Sequence, residues 1–336
     1  MAQIIFGKMS GLQDSIYGKS EAPIKAFLEE NVKAYTDNSM VEKIYKMIDS
    51  DNYAEKFSSL TGLAQGFLPV GEGGAYPKDE RQEGYSKTLE HQTWKDSFTI
   101  TQEMMEDSKI LDLNRTGARG FVDAYMLTRE KYGAQILVGA VSGTTTTFRG
   151  MTVDCTCADG LSIFSTAHTS KTGNGSTQSN KFAGAFSETV LGQIETRMQN
   201  FADDNGEILT VSPDTIIIPN DAALKKSVFA AIGADKDPAT SNNGFNYQYG
   251  RWNVIVNPYL NGLIGVSDKP FFLYDSKFND AYNGLLFLDR IPLTVTSYVD
   301  ENTDNNVWKG RSRFIAGCND WRSIAVGGVT GGTALP

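Results

Sequence analysis

Residues 98–141 read FTITQEMMEDSKILDLNRTGARGFVDAYMLTREKYGAQILVGAV. In this stretch Phe121, Tyr125, Thr128, Tyr132, Ile136 and Ala140 step by three or four residues along one face, the period of an amphipathic helix. The pattern predicts a helix over 112–141, roughly 43 Å long at ~1.5 Å per residue. That is well beyond the usual three turns, so the element is read as a spine, with Phe121, Tyr125, Tyr132 and Ile136 as its core contacts. Gly133 inside it costs ~1 kcal/mol relative to Ala and marks a bend or a close crossing. A short capped helix is expected just before the spine, over 100–108.

Toward the N-terminus, Thr88 to Ile100 has strand chemistry, with Trp94, Phe98 and Ile100 at even spacing. Before it lies TGLAQGFLPVGEGGAYPKDERQEGYSK (61–87), rich in Gly, with two Pro and a charged centre. We read 61–100 as a long two-stranded excursion with its tip near 76–83. Such a ribbon is marginal in water alone, and a long connection without its own core is usually functional or disordered. Residues 21–49 read as two helices, one carrying Ile24, Phe27, Leu28 and Val32, the other Val41, Ile44, Tyr45 and Ile48. Ser39 and Glu42 make a capping-box pattern before the second. Residues 1–20 read as irregular.

Beyond the spine, 142–186 is polar and turn-rich, and the Thr144 to Thr147 run reads as a loop or an edge strand. A helix is expected over 187–202. Thr215 to Pro219 reads as a buried strand, followed by a helix capped by Asn220 and Asp221 and closed by Gly233. Strands are then expected at 252–256, 271–274, 285–288, 293–298, 312–317 and 321–326. Helix-rich, then mixed, then strand-rich order argues an α+β fold.

Composition limits function. The chain has 336 residues, with 31 Lys and Arg against 40 Asp and Glu, a net charge of −9. This argues against direct readout of nucleic acid, which needs a basic stripe. No run approaches the ~20 apolar residues of a membrane-spanning helix, and MAQIIFGKMSG carries too short an apolar patch for a secretory signal. The absence of such a signal disfavours a surface adhesin. Three cysteines, two of them in Cys155-Thr156-Cys157, make no disulfide framework; they read as small buried or loop thiols in a reducing, cytoplasmic compartment.

No motif supplies an active site. The two histidines are His91, in the excursion strand, and His168. Ser165 with His168 suggests a hydrolase, but no GxSxG elbow or orienting acid accompanies them. Gly71-Glu72-Gly73-Gly74 is a turn whose Glu would repel phosphate. Asp203-Asp204-Asn205-Gly206 lacks the closing Glu of a calcium loop. Asn114-Arg115-Thr116 and Asn174-Gly175-Ser176 match the glycosylation sequon, which a cytoplasmic chain would leave unmodified. No catalytic residue, cofactor or metal is expected, and an unsupported arm and loop suggest self-assembly.

The block Phe98-Thr99-Ile100-Thr101-Gln102-Glu103-Met104-Met105-Glu106-Asp107-Ser108 resembles the segment that precedes the spine helix in major capsid proteins of tailed bacteriophages. Leu161 to His168, Asn205 to Pro219, Val256 to Leu260 and Asp320 to Gly328 resemble later blocks of the phage Mu-like major head subunit. The resemblance runs from about residue 85 to 328. It implies the Hong Kong ninety-seven type capsid fold, with an N-terminal arm (1–60), the extended loop (61–100), a peripheral domain (101–204 and 290–336) and an axial domain (205–289). It implies a structural, non-enzymatic protein of the virion that assembles with itself in hexamers and pentamers into an icosahedral shell around double-stranded DNA, without sequence-specific binding. Portal protein and separate scaffold or decoration proteins are the other implied partners; a chain beginning at Met1 without a long coiled extension suggests a separate scaffold or none.

A loop laid over a neighbouring copy would bury Phe67, Leu68, Tyr76 and Tyr85 at roughly 25 cal/mol per Å2 of apolar area. Lys78, Asp79, Glu80 and Arg81 would form rim pairs, each worth little alone. Some relatives join loop lysines to asparagines, a role open to Lys78 or Lys87. The alternative within the same fold is an encapsulin-like compartment holding a cargo enzyme.

Overall fold

The computed structural model describes residues 4–6, 39–59, 67–76, 78, 83–101, 103, 110–173, 175–233, 246–264 and 269–336. The helix expected at Ile24 to Val32, most of that at 100–108, and Asp79, Glu80 and Arg81 lie outside these residues.

In chain order the elements are β1 (Ile4–Phe6), α1 (Val41–Ile44), β2 (Lys46–Asp49), β3 (Ala54–Ser58), β4 (Ser86–Glu90) and β5 (Gln92–Ile100). Next come α2 (Ile110–Ser142), β6 (Thr145–Phe148), β7 (Met151–Asp154), α3 (Glu188–Gln199), β8 (Thr215–Pro219) and α4 (Ala222–Ile232). The chain ends with β9 (Asn253–Asn257), β10 (Phe271–Tyr274), α5 (Ser276–Tyr282), β11 (Leu285–Asp300), β12 (Asn305–Cys318) and β13 (Ile324–Gly327). The α+β reading holds, and the chain divides into two compact units.

The first unit comprises 1–55, 89–133 and 287–316. Its sheet runs β1-β11-β12-β5, with β2 also on β11. β5 and β12 pair antiparallel from Asn306 opposite Ile100 to Phe314 opposite Gln92. Successive strand residues face opposite sides, so Trp308, Gly310, Ser312 and Phe314 are buried while Lys309 and Arg311 are exposed. The inner face is aromatic. Trp94 stacks on Phe314 at 5.0 Å, Phe98 on Trp308 at 6.1 Å, and Phe287 on Phe314 at 5.4 Å. The expected face of α2 lies on this layer: Tyr132 meets Trp94 edge-on at 5.3 Å, and Phe121 meets Phe98 at 5.4 Å.

Gly310 permits that seating. A Cβ there would stand 2.4 Å from Phe121 Cζ and 3.0 Å from Leu293 Cδ1. Arg129 fixes the register, donating to both oxygens of Asp289 at 2.5 and 2.7 Å and to the Tyr125 hydroxyl at 3.3 Å. Its guanidinium also lies 4.5 Å from the Phe287 ring centre. Burial works against its charge, but Tyr125 and Asp289 outweigh that and hold it protonated. Gly133 is a close crossing: a Cβ would lie 2.9 Å from Val41 Cγ2, and the Tyr45 hydroxyl donates to the Gly133 carbonyl at 2.8 Å.

Two expectations fail in the N-terminal part of this unit. Ile4–Phe6 is a strand, parallel to Leu293–Val295, where irregular chain was expected. The helix from Val41 to Ile48 is a single turn followed by strand β2. Ser39 does accept from the Glu42 amide at 3.2 Å. The other half of the cap is Glu130 on α2, which takes the Ser39 hydroxyl and the Met40 and Val41 amides at 2.6, 3.1 and 3.3 Å. Tyr45 leaves the helix in extended conformation, and its ring packs on Phe287. Tertiary contacts thus override a short 3.6-residue pattern.

The second unit comprises 56–88, 134–286 and 317–336. Its sheet runs β13-β10-β8-β9, with β8 and β9 parallel and β10 antiparallel to both neighbours. Thr215 to Pro219 is buried throughout, as its continuous apolar run predicts. Ser187, Asp221 and Asp275 cap α3, α4 and α5 by accepting from Val190, Leu224 and Phe278. Gly233 ends α4 with φ −92°, so it closes the helix without the left-handed turn. The threonine run is strand β6, paired with β7 across Arg149 and Gly150, both at positive φ, the two-residue hairpin geometry.

We expect Gly310→Ala to destabilise the fold by about 1–3 kcal/mol through overpacking. Adding Phe121→Leu should recover part of that loss, a non-additivity that thermal melts of the single and double variants will read. Arg129→Ala should cost about 3–5 kcal/mol by stranding Asp289.

Candidate assembly interface

Of the described part of the 61–100 excursion (67–76, 78 and 83–100), residues through Thr88 belong to the second unit and Leu89 onward to the first. It is not a two-stranded ribbon, because β4 pairs with β3 and β5 with β12, and its foot is clamped in the second unit. Lys87 makes an ion pair with Asp154 and donates to Thr156 Oγ1 at 2.6 Å. Lys171 donates to the Gly84 carbonyl at 2.8 Å and lies 5.8 Å from the Tyr85 ring centre. The Ser59 amide donates to the Tyr85 carbonyl at 2.7 Å, and Asn319 Nδ2 to the Ser58 carbonyl at 3.2 Å. Farther out, Gly71 to Gly74 makes a turn closed by the Gly74 amide on the Gly71 carbonyl at 2.9 Å, with Gly73 at φ +77°.

Among the described residues, nothing covers the outer part. Phe67 and Tyr76 are 106% and 96% exposed, and Leu68 and Val70 are about half exposed. An apolar set this exposed on one segment is a candidate docking surface. Tyr85, by contrast, is partly buried at the foot, and Lys78 is exposed. The expected loop residues therefore separate into a free apolar tip (Phe67, Leu68, Tyr76) and a foot (Tyr85). The spine residues Phe121, Tyr132 and Ile136 are buried and Tyr125 is partly so.

The other candidates resolve as structure. His168 is buried, with Nδ1 2.5 Å from Asp159 Oδ2, Nε2 3.2 Å from Asn180 Oδ1, and its ring stacked on Trp321 at 4.2 Å. Both ring nitrogens are thus engaged away from Ser165, whose hydroxyl accepts from the Ala167 amide. His91 is buried against Ser50, 3.0 Å away; burial, then Arg290 and Arg313, lower its pKa. Asp203 Oδ1 accepts from the Asn205 and Glu207 amides, and Asp204 pairs with Arg322 at 2.9 Å, so this loop is a turn and an ion pair. The cysteines are free and buried; burial raises the Cys155 thiol to about 12. Among the described residues no cluster of three or more His, Cys, Asp or Glu could hold a metal ion.

Sequence reasoning missed the foot clamps and the Arg129–Asp289 pair. Lys171 and Gly84 lie 87 positions apart, Arg129 and Asp289 160 apart, and no local pattern marks either.

This architecture recurs in solved structures. The capsid of a native GTA particle aligns over 86% of this chain and 89% of its own, with a TM-score of 0.51 and 11% identity. A phage-related protein from Bordetella bronchiseptica RB50 aligns over 90% and 95%, with 0.52 and 10%. The capsid of cyanophage P-SCSP1u aligns over 87% and 88%, with 0.51 and 8%. The fold is therefore that of capsid shells, the Hong Kong ninety-seven type. Residues 84–327 match the phage capsid protein family model, and the chain belongs to that family. It is a structural protein of the phage head shell and of the virion, not an enzyme. No curated protein matches the sequence.

The foot yields an expectation. Burial pushes the Asp154 pKa up, but hydrogen bonds from Lys87 and Thr156 outweigh it and hold the carboxyl below its ordinary value. A depressed folded pKa stabilises above the unfolded value of about 3.9 and is lost as pH falls through the folded one. Lys87→Ala should cost about 1 kcal/mol between pH 6 and 8. Melting curves below about pH 4 should show that difference shrinking.

Proposed function

We propose that this chain is the major head subunit of a tailed bacteriophage, of the Mu-like pattern, and that its excursion lies on a sister copy in the shell. The observation that carries the reading is the exposed tip of Phe67, Leu68 and Tyr76 on a foot clamped by Lys87 and Lys171. A clamped foot lowers the ordering cost of docking. Fully burying each large apolar side chain contributes about 1.5–3 kcal/mol. Head-to-tail contacts of this kind close into rings, which become the hexamers and pentamers of an icosahedral shell around double-stranded DNA. Tyr85 belongs to the foot, and Lys78, Asp79, Glu80 and Arg81 supply the polar rim.

Segments 101–204 and 290–336 form the peripheral domain and 205–289 the axial domain. This division by place in a shell differs from the two compact units of the single chain. Portal protein, and separate scaffold or decoration proteins, complete the partner set.

The test is Phe67→Asp with Tyr76→Asp. Both positions are exposed, so melting should stay within about 0.5 kcal/mol of the parent. Negative-stain microscopy should show shells from the parent and free subunits or capsomers from the variant. Normal shells from the variant would refute the loop's role.

A further inference from the structure

The outer face of the sheet in the first unit has a charge pattern that shell contacts through the tip do not use. Residues 309–313 read Lys-Gly-Arg-Ser-Arg, and strand alternation sends Lys309, Arg311 and Arg313 to the face opposite the aromatic layer, about 6.7 Å apart. Lys95 on β5 is the Cα partner of Arg311, so two cations stand directly opposite each other on an exposed face, an arrangement that destabilises a sheet. Lys95, Lys309 and Arg311 make no ion pair among the described residues; Lys309 Nζ rests 4.6 Å from the Tyr298 ring centre. They line a groove of about 700 Å3 together with Thr294 and Thr296, and Asp96 is the one carboxylate among its described lining residues. In a chain of net charge −9, such a cationic face is not a by-product of composition.

We propose that this face binds the phosphate backbone of double-stranded DNA held within the shell. The proposal rests on the reading of the chain as the shell around the genome. Three unpaired cations neutralise phosphates, and the hydroxyls of Thr296 and Tyr298 donate to phosphate oxygens, contacts that position a duplex without reading its sequence. Binding is weak and releases counterions, so it falls steeply with salt. A net-acidic wall then repels DNA over most of its surface and holds it along one band.

The test uses the full-length chain as free subunits, so it does not depend on assembly. Fluorescence anisotropy follows a labelled 20-base-pair duplex across a salt series. The parent should bind two unrelated duplex sequences equally. Lys95→Ala/Lys309→Ala/Arg311→Ala should flatten the slope of log K against log salt by about 2.7, from ~0.9 per lost phosphate contact. Arg197→Ala/Lys226→Ala/Lys277→Ala removes the same charge elsewhere and should leave the slope near the parent's. No binding by the parent at 50 mM salt would overturn the proposal. So would equal loss in both variants, which would make net charge the cause. Unchanged DNA binding by the first variant would also overturn it.

Discussion

Gly310 lets the Phe121 ring come down on β12, and everything in the first compact unit is arranged around that contact. With no side chain at 310, the helix approaches closely enough for Phe121 and Tyr132 to meet the Trp94, Phe98 and Phe314 layer. Arg129 then reaches Asp289 in two hydrogen bonds while its flat face covers Phe287. A buried charge pair of this kind is weak evidence for net stability but sets register strongly, because a slipped helix would leave both charges unpaired. Glu130, the next residue on α2, extends the arrangement by capping α1.

The second unit meets a different requirement. Its helices are capped by Ser187, Asp221 and Asp275, and it grips the foot of the excursion with two lysines. Beyond the foot the chain spends Phe67 and Tyr76 on water. A soluble monomer gains nothing from that exposure, whereas a shell subunit needs an apolar surface held ready for its neighbour. The proposed docking on a sister copy would use that exposure.

Much of this was legible in the amino-acid order. The three-or-four step of α2 survives in the structure as Phe121, Tyr132 and Ile136, because a period sustained over many turns leaves few alternatives. Thr215 to Pro219 and the caps Ser187 and Asp221 were equally readable, since each is a local device. What escaped reading was non-local. Strands expected at 285–288 and 293–298 are one strand of 16 residues that runs through Pro292, held by pairing with β12, β1 and β2 from far along the chain. Likewise β12 begins at Asn305, seven residues before its expected start, held there by β5. The one-turn α1 and strand β2 follow from Tyr45 packing on Phe287, a contact that residues 41–48 cannot announce. Of the excursion, the apolar character of the tip was legible and the lysine clamps at its foot were not.

Incompleteness of the single chain is the central claim, and solvent protection at the excursion tests it most directly. Hydroxyl-radical footprinting compares the reactivity of Phe67 and Tyr76 in dissociated subunits and in assembled particles, with exposed Tyr249 as internal reference. If the tip lies on a sister copy, both side chains react freely in subunits and become strongly protected in particles relative to Tyr249. Equal reactivity of Phe67 and Tyr76 in both states would contradict it.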